Sequence, residues 1–327
     1  MRITPSKLPP LRIIPGSLFF GLLSLALTGQ AGDADGLAWR REAGSVALLK
    51  KDQVVWNFRH DQDEAKPAFH PVALPGGPVL TCFRAEDHPW HRGLWFSWKF
   101  INGLNYWEED KTTGASEGRT EWRDVKIDTR PDFTARITMN LSYRPTNGQP
   151  VLTEQRVIEV SAPDAQGVYH LDWTMTFKAL GKDVFLDRTP IPGEPEGKGH
   201  GGYAGLSVRF AQVLTNIQVM TSSGSIAFTN GGYRGKAIAA DYAGTLENQA
   251  IGIAMVDHPR NLNSPSPWWI IDNKAMKYFS PAVLCYGAHT LKAGKAMTLR
   301  YRVIVHPGRW NAERLREEAD SFEKALK

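Results

Sequence analysis

The chain has 327 residues, with 39 Lys and Arg against 34 Asp and Glu for a formal charge of +5, and 42 % hydrophobic residues. That length supplies one large all-β domain or two smaller ones, with enough core to need no covalent staples. Two cysteines, Cys82 and Cys285, exclude a disulfide framework and leave either one bridge or two buried thiols. No Lys/Arg block and no basic stripe with interleaved aromatics occurs, so nucleic acid is not an expected partner.

Arg2, Lys7 and Arg12 precede an apolar run over 17–27, which ends in Gly29-Gln30-Ala31. A positive flank, a short apolar stretch and a small-x-small site predict a secretory signal peptide over 1–31, a mature start near Gly32, and export to the periplasm or beyond. Cleavage would remove three positive and no negative charges, taking +5 to +2. No later stretch reaches the roughly 18 apolar residues of a membrane helix, so no span is expected after signal cleavage. The mature chain, 32–327, is expected to form a single domain.

Residues 45–59 read as a hairpin of two β-rich runs around Lys51-Asp52-Gln53. The stretch DHPWHRGLWFSW follows at 87–98. Pro89 keeps His88 out of helical geometry, so its first half is expected to be a turn feeding a strand from Gly93. In that strand Leu94, Phe96, Trp98 and Phe100 would face a core, while Trp95, Ser97 and Lys99 would line an accessible face. Asn102-Gly103 is a turn signal between LWFSWKF and LNYWEE, and Asn147-Gly148 centres a second hairpin over 137–160.

Further strands are expected at 170–179, 205–210, 236–241, 252–257 and 299–306. Residues 188–205, RTPIPGEPEGKGHGGYAG, form the longest irregular stretch, readable as a lid or as plain disorder. One helix is expected, over 312–326. Asn311 caps it, Leu315, Ala319, Phe322 and Leu326 share a face, and Glu313, Lys324 and Lys327 complement its dipole. No repeat of 20–50 residues is visible, which excludes a solenoid or propeller. The fold class is therefore all-β, a large antiparallel β-sandwich with a C-terminal docking helix.

His88, His91, Arg92 and Trp95 would meet at a strand mouth. There an indole can stack on a sugar, charged groups can hydrogen-bond its hydroxyls, and histidine can act as a general acid or base. The plainer alternative has both histidines satisfying loop carbonyls. Asp-His-Pro recurs at Asp257-His258-Pro259. Asp187, Tyr203, Arg209, Asp241 and the pair Trp268-Trp269 complete the candidates. Arg209 lies in an apolar strand, where burial demands a carboxylate partner, readable as a salt bridge that holds the lid. No H-x-H, H-E-x-x-H or paired-cysteine spacing occurs, so neither a metal nor another cofactor is expected. No G-x-S-x-G occurs either, which removes a serine elbow.

The stretch DHPWHRGLWFSWKFINGLNYWEE resembles the signature D-H-P-x-H-R-x-L-W-F … N-G-x-x-F-W of a family of secreted bacterial proteins labelled methane oxygenase PmoA. Three later segments are similar to that family: YRGKAIAADYAG (233–244), GIAMVDHPRNLNSPSPWW (252–269) and LRYRVIVHPGRW (299–310). The resemblance implies a galactose-mutarotase-like supersandwich, with a sugar on a sheet face beside histidines and a carboxylate. Matching positions are His88, His91, Arg92, Trp95, Asp241, Asp257, His258 and Asn261. It also implies two departures, Trp268-Trp269 in place of Trp-His and GHGGYAG in place of a Lys-Glu-Gly segment.

The leading expectation is a carbohydrate-active enzyme (epimerase, hydrolase or lyase). Its catalytic groups would come from His88, His91, Arg92, Asp187, Asp257 and His258. Trp95, Trp107, Tyr203, Arg209, Asp241 and Asn261 would hold the carbohydrate or glycoside. A carbohydrate-binding module without chemistry is the second reading, and the metal-dependent oxygenase implied by the label is the third.

Overall fold

The computed structural model describes residues 36–325. The signal peptide, the mature start, Leu326 and Lys327 lie outside the described residues. Two nine-stranded antiparallel sheets dominate. The first runs, edge to edge, Leu37–Glu42, Ser45–Lys50, Gln53–Arg59, Ala68–Val72, Leu94–Ser97, Gly205–Arg209, Lys277–Pro281, Pro267–Asp272 and Gly232–Lys236. The second runs Gly118–Thr129, Ala135–Pro145, Leu152–Val160, Tyr169–Ala179, Ala296–Pro307, Gln249–Asp257, Ala239–Leu246, Thr215–Thr221 and Gly224–Ser225.

Period-2 alternation explains why the two sheets face each other. In Ala135–Pro145, Ile137, Met139, Leu141 and Tyr143 are buried while Arg136 and Asn140 are exposed. Rings from the two sheets meet across the core: Phe69 with Trp173 at 5.8 Å, Phe96 with Phe177 at 5.4 Å and Phe210 with Tyr242 at 4.3 Å. Each such side chain contributes about 1.5–3 kcal/mol of burial, so this contact is the main term holding the sandwich.

The outer faces differ. On the second sheet, Ala239, Ala254, Val256 and Ile304 are covered by Leu315, Ala319 and Phe322 of the helix Ala312–Ala325, whose Asn311 Oδ1 accepts the Arg314 N–H at 2.8 Å. On the first sheet, Ala68, Trp95, Trp269 and Tyr278 carry a separate aromatic layer.

The hairpins at 45–59 and 137–160 form as expected. Asn102 and Gly103 both adopt positive φ (51° and 82°), as a two-residue turn of this hand requires. Three expectations change. His88–Arg92 is a strand paired with Phe83–Ala85, and the turn falls one step earlier, at Glu86-Asp87. The following strand stops at Ser97, and Phe100–Ile101 joins a four-stranded sheet instead. Residues 236–241 do not form one strand: Gly232–Lys236 ends the first sheet and Ala239–Leu246 belongs to the second. Cys82 and Cys285 are free thiols.

Candidate functional site

Gly93 shapes the site. With φ at +80° it separates His88–Arg92 from Leu94–Ser97, so the first segment folds back over the outer face of the strand that follows. A Cβ here would sit 2.6 Å from the Phe69 carbonyl oxygen, so only glycine fits this close approach. The fold-back covers Trp95, which is 0 % exposed and packs under His91 (ring centroids 5.0 Å apart) and Trp107 (5.3 Å). The expectation of an accessible Trp95 is thereby corrected. Alternation placed it on the right face, but its neighbours in sequence roof it over.

Above this layer opens a cavity of about 420 Å³. Asp87, His88 and His91 line one side, and Trp107 and Glu108 come from the segment after the Asn102-Gly103 turn. His200 and Tyr203 belong to the loop 188–205, which is therefore a wall of the cavity. Trp269, Ile271 and Tyr278 rise from the first sheet, with Asn273, Ala275 and Met276 in the turn between them.

Two ionisable groupings face this space. In the first, Arg209 Nη2 donates to both oxygens of Asp87 (2.8 and 2.9 Å) and to the Ala275 carbonyl (3.0 Å), while Asp87 Oδ2 lies 2.8 Å from His88 Nδ1. Burial pushes the Asp87 carboxyl up, but hydrogen bonds from His88 and Arg209 and the guanidinium charge outweigh it and hold it below its ordinary value. Because an ionised carboxylate only accepts, Nδ1 carries the His88 proton and Nε2 is the nitrogen left to accept one. His88 stacks on His91 with centroids 4.7 Å apart. Burial, then the positive groups around it, lowers His91 well below the ordinary histidine range, so His91 is neutral.

In the second grouping, Tyr203 Oη donates to Glu108 Oε1 at 2.5 Å and Lys99 pairs with Glu108 Oε2. Burial raises Glu108, yet the Lys99 charge and the hydrogen bonds from Lys99 and Tyr203 leave it net lowered. Burial and then the Glu108 charge push the Tyr203 phenol well up, so it is a donor.

Arg92 faces away from the cavity. It is 0 % exposed, donates to Glu109 at 2.8 and 2.7 Å and to the Pro89 carbonyl at 2.5 Å, and its Nε lies 3.3 Å from Glu64. Lys66 reaches the same Glu109 at 2.9 Å and the Trp107 carbonyl at 3.0 Å. This buried cluster anchors the Trp107-Glu108-Glu109 segment from behind.

The structure thus gathers His88, His91, Trp107, Tyr203 and Trp269 at one cavity, with Arg209 directly behind Asp87. It places the other candidates elsewhere. Asp187 ends a strand of the four-stranded sheet and accepts the Arg188 backbone N–H. Asp241 lies on the outer face of the second sheet, bonded to His306 Nε2 at 2.9 Å and to the Trp310 N–H. Asp257 accepts from Asn261 Nδ2 and the Ser266 N–H, which ties the loop that follows its strand, and burial raises its carboxyl despite these bonds. His258 packs edge-on against Phe322 of the helix.

Asp87, Glu108, His200 and Tyr278 escaped the sequence reading as site residues. For Glu108 a signal existed, since the Asn102-Gly103 turn folds LNYWEE back toward the histidine motif. Tyr278 and His200 reach the cavity only through long-range pairing. Among the described residues, no three His, Cys, Asp or Glu side chains form a group that could hold a metal ion, and no helix is long and apolar enough to cross a membrane.

Fold and site together define an antiparallel β-sandwich protein with an aromatic-walled cavity furnished by two ionisable groupings. The chain belongs to the family of unknown function DUF6807, whose model matches residues 45–320. That description assigns no activity, and the oxygenase label of the resembling family is not part of it. Solved structures similar to it include the galactosidase domain of an alpha-galactosidase-sucrose kinase, at 9 % identity over 84 % of this chain with a TM-score of 0.35. Another is a galactose mutarotase related enzyme from Lactobacillus acidophilus, at 9 % identity over 83 % of this chain and 97 % of that one with a TM-score of 0.30. The chain spans 41 % of the galactosidase-domain chain, less than half its length. No curated protein matches.

Proposed function

We propose that the protein is an exported carbohydrate-active enzyme that moves protons at a sugar bound in the cavity. The observation that carries this reading is the pairing of a tautomer-fixed histidine, His88, with an ionised carboxylate, Glu108, in one aromatic-walled space. At about 420 Å³ the cavity lies within the roughly 300–1,000 Å³ of small-molecule sites. Trp107, Trp269 and Tyr278 wall it but are each at most 5 % exposed, so the half-buried Tyr203 is the ring with most surface left for the C–H face of a pyranose.

In this reading His88 Nε2 accepts a proton from a sugar hydroxyl and returns it to a ring or glycosidic oxygen. Asp87 and Arg209 hold the imidazole in place and balance its transient charge. Glu108 orients a hydroxyl or stabilises positive charge at the anomeric carbon. Following the anomeric proton NMR signals of an oligosaccharide and glycoside panel tests this. Conversion or accelerated anomer exchange is expected, falling by about 10²–10⁴ in His88→Ala; undiminished turnover in that variant would sink the assignment.

One observation favours a second reading, binding without turnover. Asp87 and Glu108 are both held below their ordinary values, whereas a carboxylic acid that donates a proton to a leaving group needs a raised one. Line broadening of sugar signals without any conversion is its expected outcome.

A further inference from the structure

The cavity does not end at His200. A second space of about 670 Å³ adjoins it, and His200, Trp269, Ile271 and Asn273 line both. Trp269 is the partition, with Arg234 stacked on its ring at 3.8 Å.

The two spaces differ in charge. The first holds two carboxylates, Asp87 and Glu108, each tied to its own cation, Arg209 and Lys99. The lining of the second holds no carboxylate. Its guanidinium, Arg234, makes only neutral polar contacts: Nη2 donates to the carbonyl oxygens of Gly199 (2.6 Å) and Gly201 (2.7 Å), Nε to Gly201 (3.1 Å), and the side chain also meets the Cys285 thiol, which burial keeps protonated. A half-buried guanidinium held in place by carbonyls, its charge unopposed, favours an anion in the adjoining space. Tyr233 and Asn230 add neutral donors beside it.

We propose that this second space is a subsite for an anionic sugar residue, bearing a carboxylate or a sulfate ester, linked to the residue in the acid–base cavity. The substrate class is then an acidic oligosaccharide of at least two residues. The proposal rests on the carbohydrate reading above and narrows it.

Calorimetric titration of the whole protein with matched pairs of disaccharides tests it, each pair consisting of a neutral sugar and its uronate or sulfated counterpart. The acidic member is expected to bind at least about tenfold more tightly, with the gap closing as salt rises from about 0.05 to 0.5 M. The uronate and sulfate arms identify which anion is preferred. Arg234→Gln should reduce the gap to less than about threefold, and Arg234→Lys, which keeps the charge but loses the stacked fork, should retain more of it than Arg234→Gln does. Equal affinity for acidic and neutral ligands, or a gap in the unaltered protein that salt does not change, overturns the proposal and leaves the carbohydrate reading standing. Absence of binding by every saccharide overturns both. The salt series uses the unaltered protein, so it decides the matter even where an Arg234 variant fails to fold.

Discussion

Replacing Arg92 with methionine separates the anchoring role argued here from a role in chemistry. The side chain is fully buried and its charge is met by Glu109, 6 % exposed, through two short hydrogen bonds. Methionine fills much of the same volume but leaves Glu109 with Lys66 as its remaining cation and strips one partner from Glu64. Breaking a buried pair from one side costs about 3–5 kcal/mol when the surviving charge is left unpaired, and because Glu109 keeps Lys66 the loss should approach but not exceed that range. At roughly 2 °C per kcal/mol for a domain of this size, the melting temperature should fall by up to about 6–10 °C. Urea titrations of Arg92→Met, Glu109→Gln and the double variant measure this directly, and a coupling energy above about 1 kcal/mol is expected. A cost below about 1 kcal/mol for Arg92→Met, with no coupling to Glu109, would refute the reasoning.

Lys66 predicts an unusual pH response. Burial pushes its ammonium down to about 8 against the opposing pull of Glu109, whereas the unfolded chain titrates near 10.5. Between those values the unfolded chain holds the extra proton, so stability should rise with pH from about 8 to 10, by up to about 1.4 kcal/mol per pH unit. Urea midpoints at several pH values should show that slope, and Lys66→Met should flatten it; an unchanged slope refutes the assignment. Gly93→Ala is expected to cost several kcal/mol, on the order of 2–4, since positive φ and the 2.6 Å approach to the Phe69 carbonyl both oppose a side chain. It should also move His88 and His91, visible as shifted histidine NMR resonances; a variant as stable as the parent would count against the fold-back. Asn311→Ala should lose about 1 kcal/mol through the helix cap, read from the urea midpoint.

The local elements were legible where one residue type dictates geometry. Asn102-Gly103 permits a tight turn, Asn311 caps a helix, and the alternation in 137–160 selects a face, all through interactions within a few residues. Gly118–Thr129 was not legible. Its twelve residues, GRTEWRDVKIDT, carry few apolar side chains, and a bulge between Arg123 and Lys126, with Asp124 at φ 56°, breaks the period. Its strand state comes from ladder bonds to Ala135–Pro145, which no local propensity announces.

The same division runs through the site. DHPWHRG marked His88 and His91 from composition alone, because a histidine-rich stretch broken by proline and glycine is poor core and serviceable chemistry. Whether a given side chain reaches the cavity was decided by tertiary pairing. Asp87-His88-Pro89 and Asp257-His258-Pro259 are the same three residues, yet Arg209 and the fold-back at Gly93 turn the first into a cavity wall, while Asn261 and Ser266 close the second into a loop anchor. Glu108, Tyr203 and Tyr278 stand far apart in the chain and meet because the hairpin, the loop 188–205 and the first sheet converge on one outer face. By itself the sequence determined the tight turns, the helix cap, the alternating strands and the chemistry available, since these depend on neighbours a few bonds away. Only the tertiary structure decided which groups share a dielectric, a hydrogen bond and a cavity, since those depend on contacts between residues far apart in the chain, such as Arg209 with Asp87, 122 residues apart.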